Sequence, residues 1–312
     1  MRTYIIGHIK PDLDSIVSAI SFAEYCNINK YENPTPAIID DLNPETDFVF
    51  KKFGVSPPTK ISLSDISSED KVVLVDHNEP DQRLVGLNPN QIIAIYDHHK
   101  VNLNLNQPIE IITLPFGSSN TICWYLFKEF NFKPTKQLAS LMLSAILSDT
   151  VGLKSSTTTS TDREAVEDLA QVAEITSIEN LTLEIFMAKS NLSSLTDEQI
   201  VLNDYKIFDF SGKKVLIGQT ETVEQSEIIA TKTQDLLTAM NTIKQREGVD
   251  LIYLALTDIL KVNTKLLILS DPEQTIAEKA FGGQTKNNIL DIGPKMSRKK
   301  DIAPVIENSL KQ

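Results

Sequence analysis

The chain has four histidines among its 312 residues, and each follows a short apolar run in the company of aspartate. His8 comes after Thr3-Tyr4-Ile5-Ile6-Gly7 and leads to Asp12 and Asp14; Asp76-His77 ends Val72-Val73-Leu74-Val75; Asp97-His98-His99 ends Ile92-Ile93-Ala94-Ile95-Tyr96. A further acid, Asp149, closes the apolar stretch 138–147. Neutral imidazole suits transition metals and carboxylate suits hard or borderline ions. A mixed set without thiolate therefore points to Mn, Co, Mg or Zn and away from iron–sulfur or copper(I). Carboxylates crowded in one crevice repel one another unless cations share them, which favours two metals over one.

Each piece has a plainer reading when taken alone. Asp12-Leu13-Asp14 before an apolar helix is an ordinary cap, and a His-His pair is more often surface than ligand. The recurrence of all four histidines in the same kind of place outweighs these readings. His77 is the weakest candidate ligand, because Asp76 takes the first position past the strand and the next side chain points to the other side. It is expected behind the ligands, orienting one of them.

The elements that must gather these residues read as an alternation. Residues 3–7, 71–75 and 92–96 are buried strands, and helical spacing follows Asp14-Ser15, runs from Pro44 to Phe53, and returns over 121–130 and 135–148. This alternation predicts a parallel sheet flanked by helices, with ligands at the carboxyl ends of its strands. Gly117-Ser118-Ser119-Asn120-Thr121 opens a helix and reads either as a plain cap or as an anion-binding N-terminus. One more helical pattern runs from residue 161 to about 184, and the polar run 188–194 then marks a boundary. The expected organisation is a first domain over 1–189, a linker over 190–195 and a second domain over 196–312. The second domain carries strands near 206–210, 214–219, 250–257 and 265–269 around a long helix, about 223–247, and so is a smaller mixed α/β domain. Gly282-Gly283 reads as a turn.

Composition excludes several classes. No run of 18 uncharged apolar residues exists, and the apolar start of the chain is too short for a signal peptide, so neither a membrane partner nor export is expected and the cytoplasm is the expected location. Cys26 and Cys123 lie inside apolar helical patterns, which predicts core thiols in place of a disulfide framework. Lys plus Arg number 30 against 42 Asp plus Glu, a net charge of -12, which disfavours a nucleic-acid partner. An anionic substrate would need local cations or metal ions to receive it.

Six stretches in order, Gly7-His8-x-x-Pro11-Asp12-x-Asp14-Ser15, Val75-Asp76-His77-Asn78-Glu79, Asp97-His98-His99-Lys100, Gly117-Ser118-Ser119-x-Thr121, Ser148-Asp149-Thr150 and Ser297-Arg298-Lys299-Lys300, give the chain its likeness. It resembles the DHH phosphoesterase superfamily, most closely the family II (manganese-dependent) inorganic pyrophosphatases, over essentially its whole length. The resemblance implies an active site in the cleft between the two domains, closing about the linker. It implies one metal on His8, Asp12 and Asp76 and a second on Asp14, Asp76, His98 and Asp149. It further implies Mn²⁺ or Co²⁺ as the resident ions, additional Mg²⁺ arriving with substrate, and a water or hydroxide shared by the two metals as nucleophile. His99 is implied beside the substrate, Asp97 as its orienter, Asp76 as the bridging catalytic carboxylate, and Lys206, Arg298 and Lys299 as the grip on phosphate. Pyrophosphate or short polyphosphate is the implied ligand, and a homodimer through the first domain the implied assembly.

Two positions depart from the family pattern: Lys10 stands where Asn is usual, and Ser156 where a proline is usual. Lys213, Lys214 and Lys300 read as solvated charges, and no regulatory nucleotide-binding insert separates the Asp97–Lys100 stretch from Asp149. An exopolyphosphatase is the nearest rival, but relatives of that kind commonly lack the first or the doubled histidine. The nuclease branch carries a histidine near its glycine-rich end, and no histidine follows His99 here. A silent metal or phosphate-binding protein is the rival from another class; it is disfavoured because every implied ligand is present.

Overall fold

The computed structural model describes residues 1–190, 192 and 195–311. Asn191, Ser193 and Ser194 of the expected linker, and the terminal Gln312, lie outside the described residues. The chain forms two compact units, Met1–Lys189 and Ser190–Gln312.

The first unit runs β1 (Thr3–Ile6), α1 (Leu13–Ile28), β2 (Pro34–Ile38), α2 (Pro44–Phe53), β3 (Thr59–Lys60), β4 (Lys71–Val75), β5 (Ile92–Asp97), β6 (Glu110–Thr113), α3 (Ser119–Glu129), α4 (Lys136–Asp149), α5 (Ser160–Ala173) and α6 (Ile178–Lys189). Its six strands are all parallel, in the order β3-β2-β1-β4-β5-β6. The central strands are the apolar runs expected of a sheet covered on both faces: β1 is buried throughout, and so are residues 72–75 of β4. The chain builds outward from β1 on one side and then restarts at β4 on the other. The strand order therefore reverses between β1 and β4, where a crevice opens at the carboxyl edge. His8 follows β1 and Asp76 follows β4.

Three expectations are corrected. Asp12, not Asp14-Ser15, caps α1: it is extended and accepts from the Ser15 N–H at 2.9 Å, which leaves Asp14 inside the first turn. The pattern over 161–184 is two helices, because Glu174 takes a left-handed conformation at φ +56 and ends α5, and Ser177 Oγ accepts from Asn180 N to start α6. Strand β2, which carries Pro34 and Pro36, is absent from the expected elements. It tolerates them because β3 pairs only with Ala37 and Ile38, so the proline half is an edge.

Helices α1, α3 and α4 pack on the sheet over one core in which Phe22 stacks on Tyr96, with centroids 4.6 Å apart and rings 3° from parallel. Burying each such ring contributes about 1.5–3 kcal/mol. Cys26 and Cys123 are free thiols inside this core, as expected.

The second unit runs α7 (Asp197–Val201), β7 (Asp204–Phe210), β8 (Lys213–Thr222), α8 (Gln225–Glu247), β9 (Leu251–Asp258), β10 (Asn263–Ile268), α9 (Asp271–Phe281), β11 (Ile289–Gly293) and α10 (Ala303–Leu310). Its sheet order is β11-β10-β9-β8-β7, with β8 and β9 parallel and the remaining pairs antiparallel. Leu216, Ile252 and Leu254 face α7 and α8, while Ile217, Tyr253 and Ala255 face α9 and α10. Gly282 and Gly283 both have positive φ, consistent with the expected turn. No helix among the described residues is long and apolar enough to cross a membrane.

Candidate metal centre

Asp76 is the first residue past β4 and sits at φ +60, with its N–H donating to the Tyr96 carbonyl at 2.9 Å. That left-handed turn is strained for a residue bearing a Cβ, least so for Asp and Asn, and it turns the carboxylate into the crevice. One oxygen, Oδ2, lies 3.4 Å from His8 Nε2, and Oδ1 lies 3.4 Å from His98 Nε2. Each imidazole is fixed from behind. His8 Nδ1 donates to the Ile9 carbonyl at 2.8 Å and His98 Nδ1 to the Phe116 carbonyl at 3.0 Å. Both rings therefore turn Nε2 toward Asp76.

His98 Nε2 is buried with no hydrogen-bond partner. Its approaches to Asp76 and to Asp149 Oδ2 (3.3 Å), and the 3.7 Å from His8 Nε2 to Asp12 Oδ1, are too long for good N–H···O bonds. Donors sharing one cation at about 2.1 Å stand roughly 3 Å apart, which is the spacing found. Ligand atoms of His8, Asp12 and Asp76 lie within 4.8 Å of one another, and so do those of Asp14, Asp76, His98 and Asp149. Asp76 belongs to both groups, and to a third in which ligand atoms of Asp76, His98 and the half-exposed His99 come equally near one another. The donor set, two imidazoles and four carboxylates without a thiol, fits hard or borderline divalent ions.

The helix opening at Ser118 does bind an anion, and the anion is the chain's own. Asp14, fully buried, accepts from Ser118 Oγ at 2.5 Å, from the Ser119 N–H at 2.7 Å and from Asn120 Nδ2 at 2.8 Å, while Ser119 Oγ donates to Asp76 Oδ1 at 2.9 Å. Sequence reasoning assigned no such role to Ser118, Ser119 or Asn120, although the stretch itself stood out as a helix start. Asn78 was also missed: its amide donates to Asp97 at 2.5 Å and its Oδ1 accepts from Asn102 N at 2.6 Å, joining the loops after β4 and β5.

His99 Nδ1 donates to Asp97 Oδ1 at 2.9 Å, so a buried carboxylate orients a half-exposed imidazole. His77 packs edge-on to His8 at 6.3 Å with Nδ1 on the Val75 carbonyl, and joins neither ligand group. A cavity of about 850 Å³ opens over the centre, lined by His8, Asp12, Asp76, His98, His99, Lys100, Asp149 and the hydroxyl-rich run 155–159. A hollow of similar size in the second unit has only acidic and neutral walls and offers nothing to an anion.

The electrostatics follow from this crowding. Burial and the charge of Asp76 push Asp14 up to about 7, and burial with Asp14 pushes Asp149 well above the carboxylate range. Burial pushes Asp76 up too, but the adjoining imidazoles outweigh it and hold this carboxyl far below its ordinary value. Burial likewise disfavours charge on His8 and His98, and the carboxylates overcome it, raising them to about 11 and about 10. Without a cation, protons on the imidazoles must balance the acids.

The second unit carries the remaining expected residues. Arg298 opens a π-helical turn over Arg298–Ile302, and its guanidinium grips Asp204 through Nη2 at 2.9 Å and through the Asp204 carbonyl. Lys206 is exposed on β7, two residues further on, with Nζ 5.4 Å from the Phe208 ring centre, and Lys299 is exposed.

Residues 2–146 match the DHH family N-terminal domain, and residues 183–309 match the DHHA2 domain. The manganese-dependent inorganic pyrophosphatase of Methanocaldococcus jannaschii is 40% identical over 98% of both chains, and that of Methanothrix thermoacetophila is 35% identical over 99% of this chain and 98% of its own. The chain belongs to the manganese-dependent inorganic pyrophosphatase family. A solved structure from Methanococcus jannaschii assigned to the family II inorganic pyrophosphatases covers 99% of this chain and all of its own, at 38% identity and a TM-score of 0.65. The fold extends beyond the pyrophosphatases: an exopolyphosphatase-related protein from Bacteroides fragilis, 16% identical, covers 99% of this chain and 92% of its own with a TM-score of 0.52.

Proposed function

We propose that the protein hydrolyses inorganic pyrophosphate to two orthophosphates at a centre of two divalent cations. Manganese or cobalt are the favoured ions, and further Mg²⁺ comes in with the substrate. The observation that carries this reading is Asp76 set between two imidazole and carboxylate groups, with the Nε2 atoms of His8 and His98 each 3.4 Å from it and that of His98 buried without a hydrogen-bond partner. His8, Asp12 and Asp76 would hold one cation, and Asp14, Asp76, His98 and Asp149 the other. Bound there, a pair of ions lowers the pKa of water and neutralises phosphoryl oxygens.

The chain's own groups supply the rest. Ser119 and the helix start keep Asp76 and Asp14 aimed at the centre. Asp97 holds Nδ1–H of His99, and the same contact raises the imidazole above its ordinary value, so that as imidazolium its Nε2–H donates to a phosphate oxygen or to the leaving group. Arg298, Lys299 and Lys206 supply the cationic grip on the polyanion, with Arg298 preset by Asp204. This local charge answers the net charge of -12.

A second reading, hydrolysis of short polyphosphate, is favoured by a cavity of about 850 Å³, which has room for more than one phosphoanhydride. We further propose a cytoplasmic homodimer formed through the first unit. Strand β6 is a sheet edge and leaves Ile111 exposed there, a surface suited to pairing.

The test is phosphate release by chelator-stripped protein reloaded with Mn²⁺, Co²⁺ or Mg²⁺, on pyrophosphate beside tripolyphosphate. Metal-restored turnover confined to pyrophosphate supports the first reading. Preference for the longer chain supports the second, and no turnover on either anhydride returns the protein to a silent binder.

A further inference from the structure

Asp162 is fully buried and lies in none of the candidate ligand groups. As the third residue of α5 it closes a capping box, with Oδ2 accepting from the Thr159 N–H and Thr159 Oγ, both at 2.7 Å. A cap needs no more than that. Yet the carboxylate also accepts the Gly117 N–H, at 3.0 Å to each oxygen, and Thr121 Oγ1 at 2.6 Å on Oδ1. Those donors belong to the turn that starts α3, so one carboxylate fastens two helix starts together.

The Gly117 N–H belongs to the same planar peptide as the Phe116 carbonyl, which receives the His98 Nδ1 proton at 3.0 Å. In a trans peptide the two groups point in opposite directions. Asp162 holds one end of the plane and His98 is held by the other. A charged acceptor on the N–H strengthens the carbonyl as an acceptor, which fixes the Nδ1–H tautomer and raises the donor strength of Nε2. The residue at 117 is a glycine for this approach: a Cβ there would meet Thr150 Cγ2 at 2.6 Å and Asp162 Oδ2 at 3.0 Å. Immediately after Gly117, Ser118 and Ser119 hold Asp14. The His8 imidazole, by contrast, is fixed by the Ile9 carbonyl and has no link to Asp162.

We infer that Asp162 is a positioning residue for His98, acting through the Phe116–Gly117 peptide, and that it sets the cation affinity of the Asp14–Asp76–His98–Asp149 group without setting that of the His8–Asp12–Asp76 group. This rests on the reading of His98 as a cation ligand.

The experiment is titration of the chelator-stripped full chain with Mn²⁺, read by the paramagnetic resonance signal of free Mn²⁺, for the native protein and Asp162→Asn. The native protein shows two sites; in the variant one is weakened by about 10- to 100-fold, the usual cost of losing a group behind a ligand, and the other is retained. Thr135→Ala, which removes a helix cap at the far end of α4, lowers the melting temperature with both affinities intact. If Asp162→Asn does not fold, Thr121→Val loosens the same carboxylate by one hydroxyl and weakens the same site a few-fold. Imidazole nitrogen shifts of His98 report the change of tautomer directly. Unchanged Mn²⁺ binding in the variant, or equal weakening of both sites, overturns the role of Asp162. Absence of Mn²⁺ binding by the native protein overturns the cation reading beneath it.

Discussion

Loading the centre with cations must release protons, and their number follows from the geometry. His8 and His98, raised to about 11 and about 10 by the acids around them, each hold a proton at pH 7. Burial and the charge of Asp76 raise Asp14 to about 7, and burial with Asp14 raises Asp149 well above the carboxylate range. Ligation requires neutral imidazole and ionised carboxylate, so filling both groups releases two protons from the imidazoles, and the raised carboxyls add to that number. Each released proton changes the loading free energy by about 1.36 kcal/mol per pH unit, so the summed log affinity rises by at least about two per unit between pH 7 and 9. Calorimetric titration of stripped protein with Mn²⁺, in buffers of different ionisation enthalpy at pH 7, counts these protons. Release of fewer than one would refute the reasoning. The same groups set a stability trend for the stripped protein. Because the folded values of His8 and His98 lie above the ordinary 6.5, the stability they contribute is fully present below pH 6.5 and is lost as pH rises through about 10–11. Loaded protein should not show this fall, which melting curves at pH 6.5 and 9.5 compare.

Three further outcomes follow from particular contacts. Replacing His99 by Gln removes the proton that Asp97 orients, so turnover should fall by about 10²- to 10⁴-fold while Mn²⁺ affinity holds, measured by steady-state kinetics beside a metal titration. Gly117→Ala places a methyl 2.6 Å from Thr150 and should destabilise the fold by about 1–3 kcal/mol, read as a lowered denaturant midpoint. Arg298→Ala leaves Asp204 without its partner and removes one charged donor to phosphate; KM for pyrophosphate should rise by about 10- to 100-fold with metal affinity unchanged.

The centre was legible in the sequence to the extent that its chemistry demands particular residue types. The proposed donors are imidazole and carboxylate, and a parallel sheet places such residues just past its strands, so His8, Asp76 and His98 stand out at once. What secures them left weaker marks. Ser118, Ser119 and Asn120 reach Asp14 across more than a hundred residues through backbone N–H and short polar side chains, contacts with no periodicity, from residue types that cap any helix. Asp162 is hidden in the same way, as an ordinary capping-box acid with a second task. In the fold, β2 escaped because prolines disguise a strand until its edge position is known, and the break between α5 and α6 escaped because the apolar spacing continues past Glu174. In the second unit the long α8 and the four longest strands were legible from apolar runs. Short α9, α10 and β11 were not, since elements of 11, 8 and 5 residues hold too few apolar positions to show a period.

The proposed function turns on Asp76 being shared by two cations. Anomalous diffraction at the manganese edge from crystals of the native chain grown with Mn²⁺ tests it most directly. Two peaks are expected in the first unit, one beside His8 and Asp12 and one beside His98, Asp14 and Asp149, with Asp76 contacting both. A single peak, or two peaks of which Asp76 touches only one, would contradict it.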